Sequence, residues 1–436
     1  MIYFFQKTKS RIVFSIALML MVLSTNAQKT NFVKSAGHQF LINGNPYYYI
    51  GTNYWYGGLL ALQNDPVRGK QRLLKELDFL KSKGINNLRV LVGSEGEGKI
   101  NGVDRVKPAL QTQHNVYNAE ILKGLDFLLM EMAKRKMYAV LYLSNNWEWS
   151  GGFMQYLNWN GQIDNDTLKR KLTWDEQRDY TSKFYSCDAC KIDYQKQVKF
   201  ILQHKNVYTG KKYINEPAIM AWELANEPRP MRPEAIEAYK NWIANATTYI
   251  KSIDKNHLIT IGTEGFMGTE ENWDLFKEIH ANKGIDYLTI HIWPKNWGWF
   301  KDAPTTENLS TVIEKTSAYI KQHESIAQQL NKPLVIEEFG LPRDGHAFDP
   351  SSITKLRDEY FGNIFSIWAK SRAKGGAIAG CNFWSFGGSS RPIDGQLFWK
   401  DGDDFSGDPP QEEQGLNSVF DADQSTWEII QTYLKK

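Results

Sequence analysis

Apolar, β-branched and aromatic runs of strand length recur along the chain, and segments with helical spacing separate many of them. The strand-like runs are "YYYIGTNYW", "NLRVLVG", "YAVLYLS", "IMAWELANE", "LITIGTEG", "YLTIHIWP", "PLVIEEFG" and "GCNFWSFGG". Between them lie "GKQRLLKELDFLKSKG", "AEILKGLDFLLMEMAKRK", "PEAIEAYKNWIANATTYIKSID" and "SSITKLRDEYFGNIFSIWAKSRAKGG". In the first of these, Leu73, Leu74, Leu77 and Leu80 recur at helical spacing, lysines occupy the other face, and Gly84 ends the pattern. Strands that each lead into a helix, about eight times over, predict an α/β fold, a single-domain (β/α)8 TIM barrel. A doubly wound open sheet is the competing topology. It wants a glycine-rich phosphate loop after its first strand, and "GTNYWYGGL" does not match one.

A barrel of this kind does its chemistry at the carboxyl ends of its strands. Reading those ends in order gives Asn53 and Trp55, Arg89, Asn145 with Trp147, Asn226 with Glu227, Glu264, His291 with Trp293, Glu338, and Trp384. Acids, amides and indoles gather where a polar site is expected, while apolar residues hold the strand middles. The long aromatic stretch "NNWEWSGGFMQYLNWNG" after the third strand is expected to wall one side of a cleft.

The pair Asn226-Glu227 sits poorly in a core, because carboxylates are rarely buried unless paired, and Pro228 cannot continue a sheet ladder. Glu227 ends the fourth strand and the "EE" of "VIEEFG" ends the seventh, so the barrel brings acids from opposite strands toward its axis. Two carboxyls held close divide into one acid and one carboxylate, because each charge raises the other's pKa. Glycoside hydrolysis needs that division, with attack on the anomeric carbon at a separation of roughly 5 Å. Strand alternation sends Glu337 and Glu338 to opposite faces, so only one is expected to reach the axis. Periodicity alone does not choose between them. No H-E-x-x-H or Asp-rich loop suggests a metal.

Composition narrows the partners. The chain has 52 Lys+Arg and 49 Asp+Glu. Its first 27 residues combine Lys7, Lys9 and Arg11 with the apolar run "IVFSIALMLMVLS" and small residues ending at Ala27. They read as a secretory signal, with the mature domain spanning 28–436, and the apolar core is shorter than the ~20 residues that span a bilayer. Removing three basic residues leaves 49 of each sign, which gives no electrostatic ground for nucleic acid or an anionic membrane as partner. The 15 Trp and 21 Tyr instead suit surfaces that stack on sugars, beside the many that must fill the core. In "FYSCDACKIDY", Cys187 and Cys190 are spaced for a local disulfide, two free thiols, or a metal or redox pair, and Cys381 is expected to be buried.

The ordered set "ELANEP", "HIWP", "IEEFG" and "NFWSFGG" resembles glycoside hydrolase family 5, and "GTNYWYGG", "NNWEWSGG", "WELANEPRP" and "GDPPQEEQGLNSVF" resemble its β-mannanase members. The resemblance runs from about residue 35 to the C-terminus. It implies that Glu227 is the acid/base and that Glu338, rather than Glu337, is the nucleophile. It further implies that Asn226 bonds the sugar 2-hydroxyl, Arg89 holds the nucleophile ionised, His291 is the family's strand-six histidine, Trp384 is the sugar platform and Trp55 an aromatic near it. Many members have Tyr two residues after that histidine; here Trp293 stands there, whose indole N–H donates but neither accepts nor titrates.

The expected protein is therefore a secreted, monomeric, retaining hydrolase of internal β-1,4-mannosidic bonds, acting on β-mannan or manno-oligosaccharides without metal or organic cofactor. An exo-acting β-mannosidase or a β-1,4-glucanase fits the same scaffold. A non-catalytic polysaccharide-binding barrel and a C-x-x-C redox protein are the alternatives from other classes. Trp149, Trp159, Trp299 and Arg391 are candidates for outer sugar sites, and Glu264 and Glu337 are expected to be structural.

Overall fold

Eight parallel strands, buried along almost their whole length, surround the axis of the protein: β1 Tyr49–Asn53, β2 Asn87–Leu91, β3 Tyr138–Tyr142, β4 Ile219–Glu223, β5 Leu258–Thr260, β6 Leu288–Ile292, β7 Leu334–Phe339 and β8 Ile378–Phe383. The computed structural model describes residues 32–63 and 65–435; the expected signal segment, residues 1–27, lies outside them. Burial on both faces explains why these runs read as nearly continuous apolar stretches rather than as alternating ones.

The ladder runs β5-β4-β3-β2-β1-β8-β7-β6. No strand pairing joins β5 to β6 among the described residues. The seam is bridged by single bonds instead: Asp286 N–H to Ile259 O at 2.8 Å, Thr260 Oγ1 to Tyr287 O at 3.0 Å and His291 N–H to Glu264 O at 3.1 Å. Each strand leads to a helix: α1 Pro66–Ser82, α2 Ala119–Arg135, α3 Asp188–Leu202, α4 Ile236–Ile253, α5 Trp273–Ala281, α6 Thr306–Leu330, α7 Lys355–Ala373 and α8 Gln424–Leu434. The expected α/β barrel is thus the observed one.

Local chemistry sets the helix limits. Asp65 accepts from the amides of Val67 and Arg68 at the start of α1, with Pro66 in the first turn, where its missing N–H costs nothing. The chain leaves α1 through Gly84 at φ +90°, a left-handed conformation that glycine adopts without steric penalty. An antiparallel sheet of Val33–Ala36, Gln39–Ile42 and Asn45–Tyr47, which periodicity did not foretell, covers the amino end of the barrel. Its Phe40 packs edge-on against Tyr287 at 5.2 Å, in a satellite cluster with Val140, Met220, Val335 and Ala379.

At the opposite end, the β3–α3 connection holds Gly152–Trp159, Asn165–Lys169 and Trp174–Thr181 as short helices. The segment between β8 and α8 is looped around Asp408, whose carboxylate accepts from Gly415 N–H, Asn417 N–H and Ser418 Oγ–H. Cys187 and Cys190 form a disulfide at the start of α3, and Cys381 is a free, buried thiol. Among the described residues no helix is long and apolar enough to cross a membrane.

Candidate active site

Arg89 is the centre from which the site is built. It sits on β2 with no solvent exposure, above the ring of Tyr142 at 4.7 Å. Its Nε and Nη2 donate to Glu223 at 2.9 and 2.5 Å, Nη2 also to Asn226 Oδ1 at 2.7 Å, and Nη1 to Asn53 Oδ1 at 3.1 Å and to Glu338 Oε1. A guanidinium is always charged and presents its donors in a rigid fork, so this one residue fixes side chains from β1, β4, β7 and the loop after β4.

The regular ladder of β4 stops at Glu223, and the chain continues through Asn226, which bridges to Asn145 and donates to its Oδ1 at 3.1 Å. Glu227 follows at φ +50°. That region is uncommon for a non-glycine residue. The turn aims the carboxyl into the barrel mouth, where Oε1 meets His291 Nδ1 at 2.6 Å and Oε2 accepts from the Trp147 indole. Glu338 Oε2 accepts from Trp293 Nε1 at 3.2 Å. The facing atoms of Glu227, His291 and Glu338 lie within 4.8 Å of one another, which suits the retaining separation of about 5 Å.

Burial raises the pKa of both carboxyls. Arg229 and the Trp147 N–H oppose the shift at Glu227; Arg89 opposes it at Glu338, where the Glu227 charge adds to it. Burial also depresses His291 to about 4, so its ring is neutral near pH 7.

A cavity of about 660 Å³ opens above this cluster. Asn226, Glu227, Trp293, Glu338 and Trp384 line it, as the sequence suggested. Trp293 and Trp384 meet edge to face at 5.7 Å. Gly340 makes room for the first of them, since a Cβ there would lie 2.8 Å from the Trp293 ring.

Three of the expected site residues do not line that cavity. Trp55 is 1% exposed, donates to Gly407 O at 2.9 Å and backs Trp149 edge-on at 5.4 Å. Arg89 and His291 lie beneath the carboxyls and act on them rather than on the cavity. Trp159 stacks on His114, Trp299 packs with Trp297 and Tyr319, and Arg391 pairs with Asp421 in a separate groove; Trp149 does line the cavity. Glu264 has the expected structural partner, a two-point ion pair with Arg229, yet also reaches the cavity wall.

The alternation argument for Glu337 fails for a visible reason. Along β6 and β7, Ile290 pairs with Ile336 but His291 pairs with Glu338, which leaves Glu337 as the extra residue of a β-bulge. The bulge turns both acids inward, and Glu337 Oε2 lies 3.7 Å from Arg89 Nε. Sequence reading also missed Glu223, whose signal was a carboxylate inside the apolar run "MAWEL", and Arg229, Trp174, Gln411 and Glu412, which come from loops without periodicity.

A parallel barrel with two buried carboxyls facing each other at the ends of β4 and β7 defines a glycoside hydrolase of the barrel type. The family model for "GH family 5 beta-mannosidase-like" proteins matches residues 30–436. Mannan endo-1,4-beta-mannosidase 1 of Oryza sativa subsp. japonica is 32% identical over 81% of this chain and 78% of its own. A glycoside hydrolase family 5 mannosidase from Rhizomucor miehei superposes with a TM-score of 0.83 at 32% identity, covering 94% of this chain and 98% of that one. A structure of a mutant of that mannosidase is a complex with mannosyl-fructose, with 31% identity and the same TM-score over 94% of this chain and 97% of that one. The chain belongs to glycoside hydrolase family 5.

Proposed function

We propose that the protein hydrolyses β-mannosidic bonds with retention of configuration, and that Glu338 and Glu227 carry the reaction. The observation behind this reading is the pair of buried carboxyls at retaining distance, each fixed by its own donors. Glu338, in contact with the permanent cation Arg89, is the group that carries the charge and attacks the anomeric carbon. Glu227 holds the proton, gives it to the departing sugar oxygen, and then takes one from the water that releases the product. Asn226, fixed by Arg89 and Asn145, presents its amide at the cavity surface for a sugar hydroxyl, and Trp384 supplies an apolar face.

The names of the plant relatives favour internal β-1,4 cleavage of mannans. Two observations favour release from chain ends instead. Pro409, Gln411 and Glu412 of the segment before α8 add a wall to the cavity, and the R. miehei relative of TM-score 0.83 is named a mannosidase. The leading segment 1–27 supports export from the cytoplasm.

Products released from a linear manno-hexasaccharide test the reading, with cello-hexasaccharide in parallel and Glu338→Ala as blank. Several mid-sized manno-oligomers, lost in the variant, mean internal cleavage; mannose released stepwise means an exo mode. Cleavage of the glucan alone overturns the substrate, and cleavage of neither overturns the enzyme reading.

A further inference from the structure

The bulge on β7 places a third carboxyl, Glu337, where the reaction outlined above gives it no task. Its Oε2 lies 3.5 Å from His291 Nε2, and its Oε1 has no partner among the described residues. We propose that Glu337 is a positioning residue, a neutral carboxylic acid that donates to His291 Nε2 and so keeps the ring proton on Nδ1, facing the acid/base. This rests on the assignment of Glu227 as that acid/base.

The tautomer follows from what surrounds the ring. Nδ1 faces two acidic oxygens, Glu227 Oε1 at 2.6 Å and Glu338 Oε2 at 3.4 Å. With the Glu227 proton on Oε2, the two oxygens that converge on Nδ1 are both acceptors, and that nitrogen is the donor. The ring is held neutral by burial, and a neutral imidazole has a single N–H. Nε2 is therefore bare and accepts. A carboxylate at Glu337 would set a negative charge against that lone pair, whereas a carboxylic O–H completes a hydrogen bond.

The groups facing Glu337 agree. Arg89 on β2 favours its ionised form, yet the closer partners of that guanidinium are Glu223 and Glu338. Burial and the charge of Glu223 on β4 push Glu337 upward, with Arg89 and His291 pulling the other way. Tyr49 on β1 and Tyr287 before β6 approach it with phenols that burial keeps neutral, and Glu338 is its neighbour on β7. The arrangement gives each oxygen of Glu227 a separate duty. Oε1 accepts from His291 Nδ1–H in both half-reactions, and Oε2 carries the proton that passes to the leaving sugar oxygen.

The test is ¹⁵N NMR of the full-length enzyme with ring-labelled histidine at neutral pH, with the His291 signals assigned against the His291→Gln spectrum. The expected pattern is a protonated Nδ1 and a bare Nε2; the opposite tautomer, or a doubly protonated ring, overturns the proposal. Kinetics give a second, independent readout. Glu337→Gln keeps an N–H donor toward Nε2, so kcat/KM stays within about threefold and both limbs of its pH profile stay in place. Glu337→Leu removes the donor, and kcat falls by about tenfold or more with KM little changed. An ionised Glu337 predicts otherwise: Glu337→Gln would remove a negative charge and move both limbs to lower pH, which overturns the proposal. Should the leucine variant not fold, the wild-type spectrum and the glutamine profile still decide. The tautomer is read without turnover, whereas persistent activity in Glu227→Gln would overturn the underlying assignment, so the two failures are distinct.

Discussion

The guanidinium of Arg229 lies 5.3 Å from the ring centroid of Trp147, the residue whose indole N–H reaches Glu227. Arg229 is itself anchored by Glu264. A residue two positions past the proposed acid/base thus steadies the donor that acts on it, and the pair sets the environment of Glu227 from the solvent side.

Replacing Trp147 by Phe keeps a ring under Arg229 and deletes the donor. That donor lowers the Glu227 pKa, so its loss raises it. Glu227 must be protonated to act as acid, hence the alkaline limb of kcat/KM moves to higher pH. A lost hydrogen bond to a charged group is worth about 1.5–3 kcal/mol, so activity should drop by roughly ten- to a hundredfold. A pH–rate profile on manno-oligosaccharides checks both.

Arg89→Lys replaces a fork by a point charge where four side chains meet it. Glu223 and Glu338 then lose part of a buried pairing, and breaking such a pair costs about 3–5 kcal/mol. The Arg89 charge lowers the Glu338 pKa, so weakening it raises the acid limb, since Glu338 must be ionised to act as the proposed nucleophile. Denaturant unfolding and the acid limb should shift together; an unchanged acid limb would separate Arg89 from the nucleophile.

Reduction of the Cys187–Cys190 bridge is expected to leave kcat unchanged. A bridge spanning a sequence separation of only 3 constrains the unfolded chain by about 2 kcal/mol at most. Cys187→Ser with Cys190→Ala, the serine keeping an N-cap oxygen for α3, should lower the melting temperature by a few degrees while hydrolysis is unaltered. Thiol-dependent turnover would instead favour the redox reading of this motif.

Glu412, on the cavity wall, is raised to about 8 by burial, with the charges of Asp408 and Glu227 adding to it. It is neutral below that value and charged above it. KM should therefore rise by a few-fold, roughly 1 kcal/mol, as pH passes through about 8, and Glu412→Gln should abolish that inflection. A KM profile that is the same in both proteins rules Glu412 out of substrate contact.

The strands were legible because burial on both faces leaves continuous apolar runs, and Glu227 was legible because an acid at the end of such a run has no place in a core, whereas Glu338 was separated from Glu337 only by the family resemblance. Periodicity could not show the bulge at Glu337, which depends on how β7 pairs with β6 rather than on either sequence alone. Trp55 misled for a related reason. A tryptophan just past a strand end looks the same whether it faces the cavity or supports a neighbour, and only the bond to Gly407 O distinguishes the two. Arg391, Trp159 and Trp299 were drawn to the site by residue type; Arg391 lies along a separate groove, and the two tryptophans pack on aromatic neighbours instead of lining the cavity. Arg229 and Glu412 lie in irregular segments, whose positions follow from hydrogen bonds such as those around Asp408.

The balance of acids and bases at the barrel mouth reaches beyond the two reacting carboxyls. Glu223, Glu227, Glu264, Glu337, Glu338 and Glu412 gather there against the guanidinium groups of Arg89 and Arg229, each already engaged. A uronic acid residue entering this mouth would bring another negative charge to a wall whose two guanidinium groups are already committed to carboxylates. A neutral hexose brings no such charge, so the crowding of acids that serves the proposed reaction is expected to favour uncharged sugars in this mouth.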